Sequence, residues 1–285
     1  MSYSQTVTRK HRTLFVIAVD QSGSMLGLPK GKSCDISRAK IAAMTASMFI
    51  DELIYKSTNM GEVRDYYDVA VLGYSAGDVR PLLDDNQQVL PISVIAGKRD
   101  GLEQIIYDTD GSLSAPKLFR TYVAEWVKPT AFGDTSIVEM LYTVNDIVGK
   151  WCSNPNNRDS FPPIVVNITD DTRALNHSMV KELYSRLSSL GTSDGKVIVL
   201  NIYIDESGND KASVHSSDAQ RVNNLLSILM DAISKIGQTI EDSGDEMLLN
   251  LSYDTTLMDI MQFVNIGSYS RVSLGLPEKA TVNAY

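Results

Sequence analysis

The chain has 285 residues, 43% of them hydrophobic, two cysteines and a formal net charge of -9. That length and apolar content suit one sizeable α/β core, and no linker-like tract divides it, so a single domain over 1–285 is expected. The negative charge argues against nucleic-acid or anionic-membrane partners, which are held through clustered Lys and Arg; cationic partners, metals included, stay open. Cys34 and Cys152 lie too far apart in sequence for a Cys-x-x-Cys site and form no disulfide framework, as in a reducing cytoplasm. The first residues, MSYSQTVTRKHR, lack an apolar signal core, and no window approaches the roughly 18 apolar residues of a membrane span. A cytoplasmic location is the expectation.

The first element is the run Leu14 to Val19, a buried strand that delivers Asp20, Ser22 and Ser24 into a turn. Their i, i+2, i+4 spacing can turn three side-chain oxygens toward one point, although Asp-x-Ser-Gly-Ser alone is also an ordinary turn or helix-cap sequence. Asp35 is placed to cap a helix whose apolar positions Ile41, Ala42, Met44, Met48, Phe49 and Leu53 would pack on a sheet. Asp68 to Tyr74 and Asp78 to Leu83 read as two strands. The three-residue join Ser75-Ala76-Gly77 makes them antiparallel. Residues 84–132 are irregular, with a turn signal at Asp110-Gly111 and an extended run near Phe119 to Trp126.

Ile137, Leu141, Val144, Val148 and Trp151 recur at helical spacing, which puts Thr135 at a helix N-terminus. Pro163 to Ile168 is a second buried strand, and it too ends in acids, Asp170 and Asp171. A helix carrying Val180, Leu183, Leu187 and Leu190 follows, then a strand over Lys196 to Tyr203. A long amphipathic helix over Val222 to Ile240, a strand within Met247 to Tyr253 and a short helix over Leu257 to Val264 complete the pattern. Strands that are apolar throughout and alternate with helices predict a doubly wound three-layer α/β sandwich: a mostly parallel central sheet with one antiparallel edge strand and helices on both faces. Such sheets bind ligands at the carboxyl ends of their strands, beside the point where strand order reverses. If the first strand neighbours the one ending at Ile168, then Asp20, Ser22, Ser24 and Asp170 share one crevice, with Thr135 brought in by its own loop.

DQSGSM after the first strand, GDT before an amphipathic helix and ITDD after PPIVVN together resemble the von Willebrand factor A (vWA) domain and its metal-ion-dependent adhesion site. The resemblance covers about residues 12–270, and the segments VKPTAFGDTSIVEML and SFPPIVVNITDD look like soluble bacterial members. It implies that Ser22, Ser24 and Thr135 bind a divalent ion directly, while Asp20 and Asp170 hold waters or bind directly. A carboxylate from a partner protein would then complete the shell. Hydroxyl and carboxylate donors without a His or Cys cluster suit Mg²⁺ first, Mn²⁺ as a substitute and Ca²⁺ after them. The resemblance also implies a non-enzymatic interaction module, acting beside kinases or phosphatases in bacterial signalling, stress-response or conflict systems. Where the family usually has glycine, this chain has Asp171, an acid able to alter the charge around the site. The segments at about 84–132 and 205–244 stand outside the common pattern as loops or insertions. Trp126, Trp151, Met44 and Met48 read as packing residues, and His11, His177 and His215 fall in no nucleophile motif. The competing reading is a P-loop-like NTPase or another metal-dependent hydrolase using Asp20 and Asp170. Gly27 to Ser33 resembles a phosphate loop, but Leu26 stands where its first glycine should be, and the loop does not follow its strand at once.

Overall fold

A computed structural model describes residues 7–28, 37–99, 102, 104–108, 120–171, 177–204 and 249–252. Strand β1 (Thr13–Asp20) is buried along its whole length and is followed by α1 (Arg38–Ser57). A small hairpin, β2 (Thr58–Asn59) and β3 (Glu62–Val63), leads to β4 (Tyr67–Ser75) and β5 (Asp78–Pro81). Next come β6 (Leu90–Pro91), α2 (Ile92–Ala96), β7 (Gln104–Asp108), β8 (Arg120–Ala124) and α3 (Ile137–Ser153). The described chain finishes with β9 (Ile164–Thr169), α4 (Ser178–Ser189), β10 (Ile198–Tyr203) and β11 (Leu249–Ser252).

The main sheet runs β11-β10-β9-β1-β4-β5. Its β1, β4, β9, β10 and β11 are parallel. The antiparallel edge is shared: β5 pairs with the end of β4 and the two-residue β6 with its beginning. Because crossovers between parallel strands are right-handed, connections that leave β1 in opposite directions place their helices on opposite faces. The packing follows this rule. Phe15, Ile17 and Val19 of β1 face α1 and α2 through Ile41, Phe49, Ile50, Leu53, Ile92 and Ile95. Leu14, Val16 and Ala18 face α3 and α4 through Leu141, Val144, Val148, Val180, Leu183 and Leu187. Each face therefore takes alternate residues of an unbroken apolar strand, as a sheet covered on both sides requires. The doubly covered sandwich matches the sequence expectation, and the reversal point lies at β1.

Local corrections are small. The N-cap of α1 is Ser37, whose hydroxyl accepts from Lys40 N at 3.3 Å; Asp35 lies outside the described residues. The stretch 84–132 carries β6, α2 and a separate β7-β8 hairpin on either side of the Asp110-Gly111 turn signal. Both tryptophans are packing residues with polar anchors: indole N–H groups donate to Asp51 at 2.9 Å from Trp126 and to Asp68 at 2.9 Å from Trp151. The helices expected over Val222 to Ile240 and Leu257 to Val264, the whole stretch 205–244 with His215, and Lys30 to Ser33 lie outside the described residues. Among the described residues, no helix is long and apolar enough to cross a membrane.

Candidate metal centre

The register of the two central strands builds the site. Val19 of β1 pairs with Ile168 of β9, so the chain ends of both strands emerge side by side and place Asp20 next to Thr169. Asp20 is fully buried. One of its carboxylate oxygens accepts from Ser22 N at 2.9 Å, closing an Asx turn, and the other accepts from Thr169 Oγ1 at 2.6 Å. Burial pushes the Asp20 carboxyl above its usual range, and the Thr169 and Ser22 hydrogen bonds oppose that push.

After this turn, Gly23–Leu26 form one turn of 3₁₀ helix. Ser24 Oγ donates to Asp170 Oδ1 at 2.8 Å, and Ser22 Oγ lies 3.1 Å from Ser24 Oγ. Burial raises the Asp170 carboxyl, while Ser24 and Arg38 pull it down and the charge of Asp171 raises it further. Asp171 also donates its backbone N–H to Thr169 Oγ1 at 3.0 Å, so its main chain helps to hold the threonine that holds Asp20.

Thr135 enters on the loop before α3. Phe132 N donates to Gln21 O at 2.8 Å, and Gly133 O accepts from Gly23 N at 2.8 Å. On its other side the loop is held by the Ser75–Gly77 turn: Ala76 N donates to Asp134 O at 2.7 Å, and Gly77 N donates to the hydroxyl of Ser136. Gly133 has φ +65°, and a Cβ there would lie 2.5 Å from that of Ala76, so only glycine fits this clamp. Thr135 is thereby fixed two residues beyond the bond to Gly23, half-buried, at the N-terminal end of α3.

The structure thus links Ser22 to Ser24 and Ser24 to Asp170, ties Asp20 to the same turn through Ser22 N, and joins the Thr135 loop to it at Gly23. Neighbouring ligands of an octahedral ion with bonds of 2.0–2.1 Å are about 2.9 Å apart, and the 2.8 and 3.1 Å separations here bracket that value. The donor set fits a small hard cation. Among the described residues no group of three His, Cys, Asp or Glu side chains could hold a metal, so the hydroxyls are essential to any such site.

Sequence reasoning missed Arg38. Its Nε is 3.1 Å from Asp170 Oδ2 and its Nη2 donates to Ser24 O at 2.6 Å. A signal existed: Arg38 is the first residue of α1, where the helix dipole disfavours a cation, so a nearby carboxylate was to be expected. Gln21 was also missed; its side-chain oxygen accepts from Arg80 at 3.0 Å, and Arg80 lies over the Phe132 ring at 5.3 Å.

No protein-family model matches the sequence, and no curated protein does. Several solved structures have a similar chain path at low sequence identity. The vWF domain of the type V pili tip protein Mfa5 from Porphyromonas gingivalis is 13% identical, with a TM-score of 0.34 over 57% of this chain and 38% of that one. In a three-domain structure of the same protein this chain spans 20% of the length. The SpRpn10 VWA domain is 10% identical, with a TM-score of 0.39 over 88% of this chain and 94% of that one. The PilB minor pilin from Streptococcus sanguinis is 12% identical, with a TM-score of 0.43 over 90% of this chain and 61% of that one.

Proposed function

We propose that this chain is a vWA-type protein-interaction module that captures a partner's Asp or Glu carboxylate through a divalent cation, Mg²⁺ or Mn²⁺, held by Ser22, Ser24, Thr135, Asp20 and Asp170. The observation that carries this reading is the 2.8 and 3.1 Å contacts joining Ser22, Ser24 and Asp170, the last two 146 residues apart in sequence. When bound, the ion would supply a coordination position that an external carboxylate can fill. The protein's own residues do the rest. Asp20 is held by Thr169 and by the Ser22 backbone, so its carboxyl stays fixed within the cluster. Ser22 and Ser24 contribute neutral oxygens, which leave more of the ion's charge for an incoming anion than carboxylates would. Leu26 and Leu28, which follow the serine turn, and Phe132, on the loop that carries Thr135, are exposed apolar residues suited to a protein partner. A non-enzymatic role in bacterial cytoplasmic signalling or stress response belongs to the same proposal.

Calorimetry with Mg²⁺ and Mn²⁺ on the wild type and on the Ser22→Ala/Ser24→Ala variant tests the site. Saturable binding to the wild type that falls at least about tenfold in the variant is expected, since two of the direct ligands are gone. Pull-down from native cells with and without EDTA then tests the use of the ion. Partner capture that survives chelation would defeat the mechanism, and metal-dependent hydrolysis of a phosphate ester or nucleotide would favour an enzyme instead.

A further inference from the structure

We propose that Arg38 is a resident counter-cation of the oxygen cluster and competes with a divalent ion for Asp170, so that metal binding and the Arg38 ion pair oppose one another. This inference rests on the metal reading above. Asp170 has both oxygens engaged, Oδ1 by the Ser24 hydroxyl and Oδ2 by Arg38 Nε at 3.1 Å, and both side chains of the ion pair are 6% exposed. The same guanidinium reaches Ser24 O at 2.6 Å, so one arginine touches two members of the cluster. Charges this poorly solvated are weakly screened, and a second cation accepted by Asp170 meets the guanidinium at close range.

The place for this arginine is constructed. A Cβ on residue 27 would lie 2.5 Å from Arg38 Nη2, and Gly27 leaves that space open. Gly27 O accepts from Arg38 N at 2.9 Å, which fixes the start of α1 directly under the serine turn. An arginine at a helix N-terminus runs against the helix dipole, and the Asp170 carboxylate offsets that cost. Without a metal, Arg38 therefore supplies the positive charge that Asp170 needs. With one, it lowers the affinity that the same oxygens would otherwise have.

The test uses the full chain, stripped with EDTA and dialysed, in thermal-shift and calorimetric titrations with MnCl₂ and MgCl₂. Arg38→Gln is expected to melt below the wild type in EDTA and to bind Mn²⁺ about tenfold more tightly, the effect of a charge interaction of one pK unit. Its melting deficit should shrink as the ion saturates. Gly27→Ala is the second variant. Residue 27 has φ -66° and ψ 156°, which alanine adopts without strain, and the added methyl pushes the guanidinium aside while its charge is kept. It should tighten Mn²⁺ binding in the same direction by a smaller factor, and it decides the matter if Arg38→Gln does not fold. Wild-type binding with equal or weaker affinity in the variants overturns the competition and leaves the metal reading standing. If no protein in the series responds to Mn²⁺ or Mg²⁺, the metal reading falls and the competition falls with it.

Discussion

Asp20 shows how much of this site depends on one hydroxyl outside the familiar pattern. The residue is fully buried, and Thr169 Oγ1 donates to its Oδ2 at 2.6 Å. Thr169→Val keeps the shape and removes that donor from a buried carboxyl, leaving it the bonds from Ser22. The expected cost is about 1–3 kcal/mol, the usual penalty for taking a hydrogen-bond partner from a buried polar group, read as a lower midpoint in urea without metal. The loss should be smaller in an Asp20→Asn background, because a neutral amide is cheaper to bury. A loss equal in both backgrounds would show that Thr169 acts by packing. The sequence pointed to Asp20, Ser22, Ser24, Thr135 and Asp170 through their positions at strand and helix ends. Thr169 and Arg38 stayed hidden because each acts through a partner about 150 or 130 residues away, and no local spacing records such a pairing.

At the scale of elements, the Thr135 loop is set by contacts on both of its sides more than by the helix that follows. The β4-β5 turn, with Ala76 at φ 52° and Gly77 at φ 78°, presents its backbone to Asp134 and Ser136 of the loop, and Gly133 packs against Ala76. Gly133→Ala is expected to cost roughly 1–3 kcal/mol, from a left-handed backbone made to carry a side chain together with a clash against Ala76. Metal affinity should fall by more than stability alone explains, because Thr135 moves with the loop. Thermal melts and calorimetry on this variant check both parts; an unchanged affinity would detach Thr135 from the site. The elements themselves were legible where periodicity is strong. β1, α3, β9 and α4 lie where their apolar patterns placed them. The stretch containing β7 and β8 was harder to read, since among the described residues its two strands pair with each other and not with the main sheet.

Across the whole molecule, a buried polar chain links four elements beneath the site. Tyr74 of β4 donates to Asn167 of β9 at 2.8 Å, and Asn167 donates to Asn201 of β10 at 3.0 Å. Tyr184 of α4 also donates to Asn201, at 2.8 Å. Burial pushes the Tyr184 phenol up to about 12 from an ordinary value of 10.0. The folded protein then keeps this proton where the unfolded chain has lost it, so stability falls as pH rises from about 10 to 12, by roughly 2–3 kcal/mol. Unfolding titrations across that range should show the decline in the wild type and a shallower one in Tyr184→Phe; equal slopes would place the alkaline sensitivity elsewhere. The chain's own pattern was enough for the sandwich, the faces of its helices and the oxygen groups at its strand ends, because burial periodicity and turn chemistry are local properties. The neighbours of each strand, the 2.8 Å meeting of Ser24 with Asp170 and the arginine seated between them depended on the assembled fold. Those contacts join segments remote in sequence, and they come into being only when right-handed crossovers reverse direction at β1.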